Sequence, residues 1–216
     1  MTMPSPYFNS DSRSPYTDHD LRPTMALAGK SVDEVKKLID RGVAADGTHP
    51  TGTAYLLDTK DTARNVRASL YPTLIQYLAN RISLQVVHAD FIENRDDVLF
   101  YFTGVASVRA LGSIRFRPGA IADHLTSAGG QLTDSQQMSI LRWLEAGATG
   151  SYGAVVEPCN FPGKFPSPGV AMRHYLQGET LVEAYWKSVA MPGQGIFVGE
   201  PLAAPFRNQT DNPSGH

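Results

Sequence analysis

Residues 147–168 read GATGSYGAVVEPCNFPGKFPSP. Gly147 closes a helical pattern, and the run from Gly150 to Val156 reads as a buried strand. Residues 157–166 form a loop dense in Pro, Gly and aromatics, which carries the chain's one cysteine, Cys159. Ser167-Pro168 then reads as a helix cap followed by proline at the first helical position, where its missing N–H costs nothing. Helix, strand, loop and helix in such close succession predict a strand of a mostly parallel sheet.

The same alternation extends in both directions. Ser31, with Glu34 three residues on, forms a capping box. It opens a helix whose apolar stripe is Val32, Val35, Leu38 and Ile39, with Gly42 as its C-terminal stop. Residues 52–57 read as a strand. A helical segment follows from about Lys60, and Pro72 suits the first turn of a second piece carrying Leu74, Ile75 and Leu78. Residues 83–88 and 98–103 read as strands. Ser113 to Arg117 alternates Ile114 and Phe116 with Arg115 and Arg117, predicting a half-exposed or edge strand, and residues 120–125 predict another. Thr133 and Gln136 read as a capping box for a helix bearing Met138, Leu141 and Leu144. Thr180 and Glu183 open the last helix, which carries Leu181, Ala184 and Tyr185, and residues 195–198 form a last short strand. The expected fold is therefore α/β, a three-layer, mostly parallel sheet with helices on both faces. Residues 1–24 read as an extended arm, 25–206 as a single domain and 207–216 as a loose polar tail.

Composition narrows the functional classes. A chain of 216 residues with 42% hydrophobic and 19% charged residues can bury one ordinary core. Its formal charge of −2 offers no bulk positive field for nucleic acid or an anionic membrane. There is no apolar run long enough to span a bilayer and no secretory pattern at the start, so the chain as written reads as cytoplasmic. One cysteine makes no internal disulfide, and the six histidines show no metal-ligand spacing, so neither a cofactor nor a metal is expected.

In sheets of this kind, ligands gather beyond the carboxyl ends of the strands. That edge would hold Thr103, Gly104, Thr126, Ser127, Glu157, Cys159 and Asn160. Cys159 has two readings: a thiolate nucleophile, which needs a base such as His124 beside it, or a small apolar residue packed beneath the loop. A Ser127 nucleophile with a histidine base is a further possibility. Gly147, Gly150 and Gly153 follow a helix and enter a strand, the reverse of a phosphate loop, and read as a tight turn with close backbone packing.

Three strings carry a family resemblance: YLLDTKDTARNVRASL, GATGSYGAVVEPCNFPGKFP and ETLVEAYWKSVAMPGQGIFVGEPLAAPF. They resemble an uncharacterised bacterial family distantly similar to the gingipain-type cysteine peptidases, whose fold is caspase-like. The resemblance implies a six-stranded sheet, a Gly-His-Gly after the third strand and a nucleophilic cysteine after the next. Here Val105 stands at the histidine position, and residues 124–129 contain no cysteine. Cys159 follows the strand after that. Gly199-Glu200-Pro201 stands where gingipains tend to show Gly-Asp-Pro. Members of the family usually carry a further α/β half ahead of this segment and are often exported; its absence here would leave surface for self-association or a protein partner. The expectation is a non-catalytic caspase-like binding or assembly module. The alternatives are a cysteine hydrolase using Cys159 and a self-assembling structural protein.

Overall fold

A computed structural model describes residues 4–133 and 135–208. Six strands form one sheet in the order β2-β1-β3-β4-β5-β6: β1 Thr53–Leu57, β2 Ser83–Val87, β3 Arg95–Thr103, β4 Ile114–His124, β5 Gly150–Ala154 and β6 Gly195–Gly199. The first five are parallel and β6 runs antiparallel to β5. Helices α3 (Tyr71–Leu78), α5 (Pro168–Leu176) and α6 (Leu181–Ser188) cover one face, packing Tyr71, Met172, Tyr175 and Tyr185 on Leu56, Phe100, Phe102 and Ile121. Helices α2 (Val32–Ala45) and α4 (Leu141–Glu145) cover the other, setting Leu38, Leu141 and Trp143 on Tyr55, Tyr101 and Ala122. The architecture is thus the three-layer, mostly parallel α/β fold read from the alternating pattern. Strand β1 is buried at every position, as expected of a strand covered on both faces.

Several local expectations are corrected. Gly42 does not stop α2, which continues to Ala45; a side chain there would overlap Glu200, so the glycine serves packing. Residues 60–67 are turns, and the regular helix begins at Tyr71 after a single 3₁₀ turn at Ala68–Leu70. The two segments expected as separate strands, one of them an edge, are a single strand, β4, in the sheet's interior. Only its first half is exposed, which accounts for the arginine alternation. The helix expected from Thr133 begins at Leu141, because residues 135–140 run as a loop that supplies polar partners to the sheet edge. By contrast, Ser31 accepts from the Glu34 N–H, and Thr180 and Glu183 complete a capping box.

The N-terminal segment lies across α5 and α6. Ser5 and Asn9 donate backbone hydrogen bonds to Ala190 and Lys187, and Arg173 grips Asn9 and Asp11. Tyr7 is fully buried, and Ala26 bridges the outer side of β6 at Val198. A one-turn helix, α1 (Pro15–His19), lies between these anchors. Most of the tail expected from 207 onward lies outside the described residues.

β4 and β5 pair only at Ile121–Gly150 and then part. Residues 129–130 wedge into the gap: the Gly130 N–H donates to the Ala154 carbonyl at 2.8 Å, and a Cβ on Gly153 would overlap the Gly130 nitrogen. Backbone meets backbone here, so an alanine has no flexible neighbour to displace. Gly153→Ala should cost about 1–3 kcal/mol, read as a lower urea midpoint at unchanged slope.

Candidate functional site

At the carboxyl edge, where Thr103 and Gly104 were expected to border a ligand site, the chain closes over the ends of β1 and β3. The Thr59 hydroxyl donates to the Gly104 carbonyl at 2.8 Å, while the Thr59 N–H is held by Asn65. A Cβ on Gly104 would overlap the carbonyl of Arg64. Glycine is therefore required at 104 for close packing of the chain. Thr103 is wholly buried, and its carbonyl accepts from Arg67.

The opening lies one step along, where β4 and β5 part. A recess of about 240 Å³ is lined by Arg64, Thr126, Ser127, Glu157, Cys159 and Asn160, over an apolar floor that includes Leu125 and Phe165. Five of the expected edge residues meet there; Thr103, Gly104 and His124 are not among its lining. Arg64 was missed by the sequence reading. Its Nε donates to the Thr126 hydroxyl at 3.0 Å and its Nη1 to Asp61 at 2.9 Å. Thr126 donates in turn to the side-chain Oε1 of Gln137, which also accepts the Ala128 N–H. A larger, open depression of about 590 Å³ lies at the amino ends of the strands, near His49, Arg81 and Phe206, and holds none of the candidate residues.

Cys159 is exposed, contrary to the expectation of a thiol packed beneath the loop. It sits at φ 52, a left-handed turn held by its N–H donating to the Glu157 carboxylate at 2.8 Å.

His124 is engaged on both nitrogens. The Trp143 indole N–H donates to its Nδ1 at 3.0 Å, which leaves the proton on Nε2, and that N–H donates to the Met138 carbonyl at 2.9 Å. Burial, with the Arg67 and Arg64 charges adding to it and the Met138 contact opposing, lowers its pKa to about 4. The ring is a neutral structural link between strand, helix and loop.

On the opposite side of β4, Asp123 meets Arg67. One Arg67 nitrogen donates to Asp123 Oδ1 at 2.6 Å and to the Pro166 carbonyl at 3.3 Å, and the other donates to Thr103 O at 2.6 Å. Both side chains are almost wholly buried. Burial raises the Asp123 carboxyl to about 6 against the pull of Arg67. No local pattern marks Arg67, because its partner lies 56 residues away.

Among the described residues, no group of three or more His, Cys, Asp or Glu is placed to hold a metal ion, and no helix is long and apolar enough to cross a membrane. No family model, curated protein or solved structure matches the chain.

Two predictions follow from this geometry. Arg67→Ala should destabilise the fold by about 3–5 kcal/mol, since it strands a buried carboxylate; chemical denaturation at pH 7 measures it. For His124, the native state binds fewer protons than the unfolded chain between about pH 6.5 and 4. Its contribution is therefore full above 6.5 and declines as pH falls, by roughly 2 kcal/mol at pH 5. Asp123, with its raised pKa, acts in the opposite sense as pH falls below 6. The comparison is accordingly made with His124→Gln, which should lose less stability from pH 7.5 to 5 than the native sequence. Imidazole ¹⁵N resonances should hold the Nε2–H tautomer down to pH 5.

Proposed function

We propose that the chain is a non-catalytic binding or assembly module of caspase-like type, with the β4–β5 recess as its binding surface. One observation carries this reading: His124, at the end of β4, has no free nitrogen, while Cys159, in the loop after β5, faces solvent beside a carboxylate. A thiol–imidazole dyad needs one ring nitrogen to take the thiol proton. The departures from the gingipain-type pattern support the same reading. Val105 follows β3 where that pattern has histidine, and Ser127 lies in the loop after β4 where it has the nucleophile.

What remains suits recognition. A partly exposed guanidinium, a hydroxyl, an amide and a carboxylate surround an apolar floor. Small apolar pockets with a few placed polar groups orient an inserted side chain. A recess of about 240 Å³ fits one such side chain of a partner protein. The link to the uncharacterised bacterial family belongs to this proposal, as does an origin in an exported relative.

The test has two parts. Fluorogenic peptide and p-nitrophenyl ester panels should show no turnover above background at pH 7.5; turnover abolished by Cys159→Ala would overturn the reading in favour of a cysteine hydrolase. A thiol reagent should label Cys159 in the folded protein at a rate similar to that in denaturant, and His124→Gln should leave that rate unchanged.

A further inference from the structure

The two edges of the sheet are finished differently. The outer side of β6 is occupied: the Ala26 N–H donates to Phe197 O at 2.9 Å, and the Gly199 N–H donates to Ala26 O at 3.0 Å. The outer side of β2 pairs with nothing among the described residues. Edge strands are ordinarily guarded by lysine, proline or a bulge. β2 reads Ser-Leu-Gln-Val-Val, pairs with β1 without any shift of register and carries none of these guards.

From this unguarded edge we infer that β2 pairs antiparallel with β2 of a second copy of the chain, joining two six-stranded sheets across a two-fold axis normal to them. The backbone fits this pairing. Val87 O accepts the Asp58 N–H on the β1 side, so the alternate residues Leu84 and Val86 direct their N–H and C=O groups outward. With Gln85 on the axis, Leu84 of each copy lies opposite Val86 of the other and exchanges both backbone hydrogen bonds with it.

The side chains fit the same register. Leu84 and Val86 belong to the face covered by α3, and Val87 to the other face, so this register continues the apolar layer under α3 through Leu84 and Val86 and sets Val87 against Ser83 on the other face. The two Gln85 amides face each other and can hydrogen-bond. The paired strands contain no charge, and the Arg81 end of one copy meets the Ala89–Asp90 end of the other, giving opposite charges at both extremities. Other registers with the same facing take Gln85 off the axis and lose this matching of ends.

The inference supplies a surface for assembly that is separate from the recess, so the two readings fail separately. Sedimentation and light scattering at concentrations up to about 100 µM should show a dimer, since interfaces of modest area commonly give micromolar affinity. Gln85→Lys, which opposes two like charges on the axis at an exposed position, should shift the dimer constant at least tenfold toward monomer, with an unchanged circular dichroism spectrum and, at concentrations below the dimer constant, an unchanged melting temperature. Gln85→Cys in a Cys159→Ser background should form a covalent dimer on mild oxidation, because directly opposed Cα atoms about 4.5 Å apart lie within disulfide reach; Thr73→Cys on α3 should not. A strict monomer, or a dimer indifferent to Gln85→Lys that fails to cross-link through Gln85→Cys, overturns the inference. Such a result, with Cys159 still labelled in the fold and no turnover, would leave the recess reading standing.

Discussion

A single buried guanidinium organises the carboxyl edge of the sheet. Arg67 comes from the turn ahead of α3, yet it holds the last carbonyl of β3, the carboxylate near the end of β4 and the Pro166 carbonyl of the loop beyond β5. An ion pair this dry recovers its desolvation cost only through good geometry and added hydrogen bonds. The two carbonyls provide those bonds, and Phe102 lies beneath the guanidinium at 5.5 Å. Three segments that parallel strands would leave splayed are thereby fixed relative to one another. The recess between the β4 and β5 loops keeps its shape because its walls hang from these tethered ends.

A second buried ionic cluster does comparable work on the helical face. Glu179 accepts from His174 at 2.9 Å and pairs with Lys187 at 2.7 Å, all three being almost wholly inaccessible. Burial alone would raise the Glu179 carboxyl, but its two partners outweigh this and hold it below the usual carboxylate range. The cluster joins α5 to α6 and sits under Tyr7, whose ring lies 5.1 Å from the Lys187 ammonium. A segment with no periodicity of its own is thus held by cation–π contact, backbone bonds and the Arg173 grip. The same strap continues to Ala26 and seals β6.

The alternating elements were legible in the sequence because burial on both faces demands apolar strands, and β1 and the second half of β3 have them. Capping chemistry at Ser31 and Thr180 was legible because both partners lie within four residues. Reading failed where the deciding contact was distant. The Thr133 box looked like a helix start, but the chain that follows serves Thr126 and His124. Gly42 looked like a stop, but answers to Glu200 across the fold. Thr103 ends β3, and Ser127 and Cys159 follow β4 and β5, as the strand pattern implied, while the closing of the chain over β1 and β3 depends on Thr59 and Gly104, 45 residues apart.

The division of labour at that edge bears on what it can do. Residues fixed by the scaffold, namely Thr59, Arg67, Asp123, His124 and Thr126, are each hydrogen-bonded to the backbone or to a neighbouring side chain, although Arg67 Nε and Asp123 Oδ2 find no partner among the described residues. The side chains left facing solvent, Ser127, Glu157, Cys159 and Asn160, belong to connecting loops. Catalysis asks for the reverse, reacting groups held within a fraction of an ångström by rigid elements and their hydrogen bonds. Recognition tolerates adaptable side chains around a firm apolar floor, here Leu125 and Phe165. A rigid floor with an adaptable rim is the arrangement that the proposed binding role calls for.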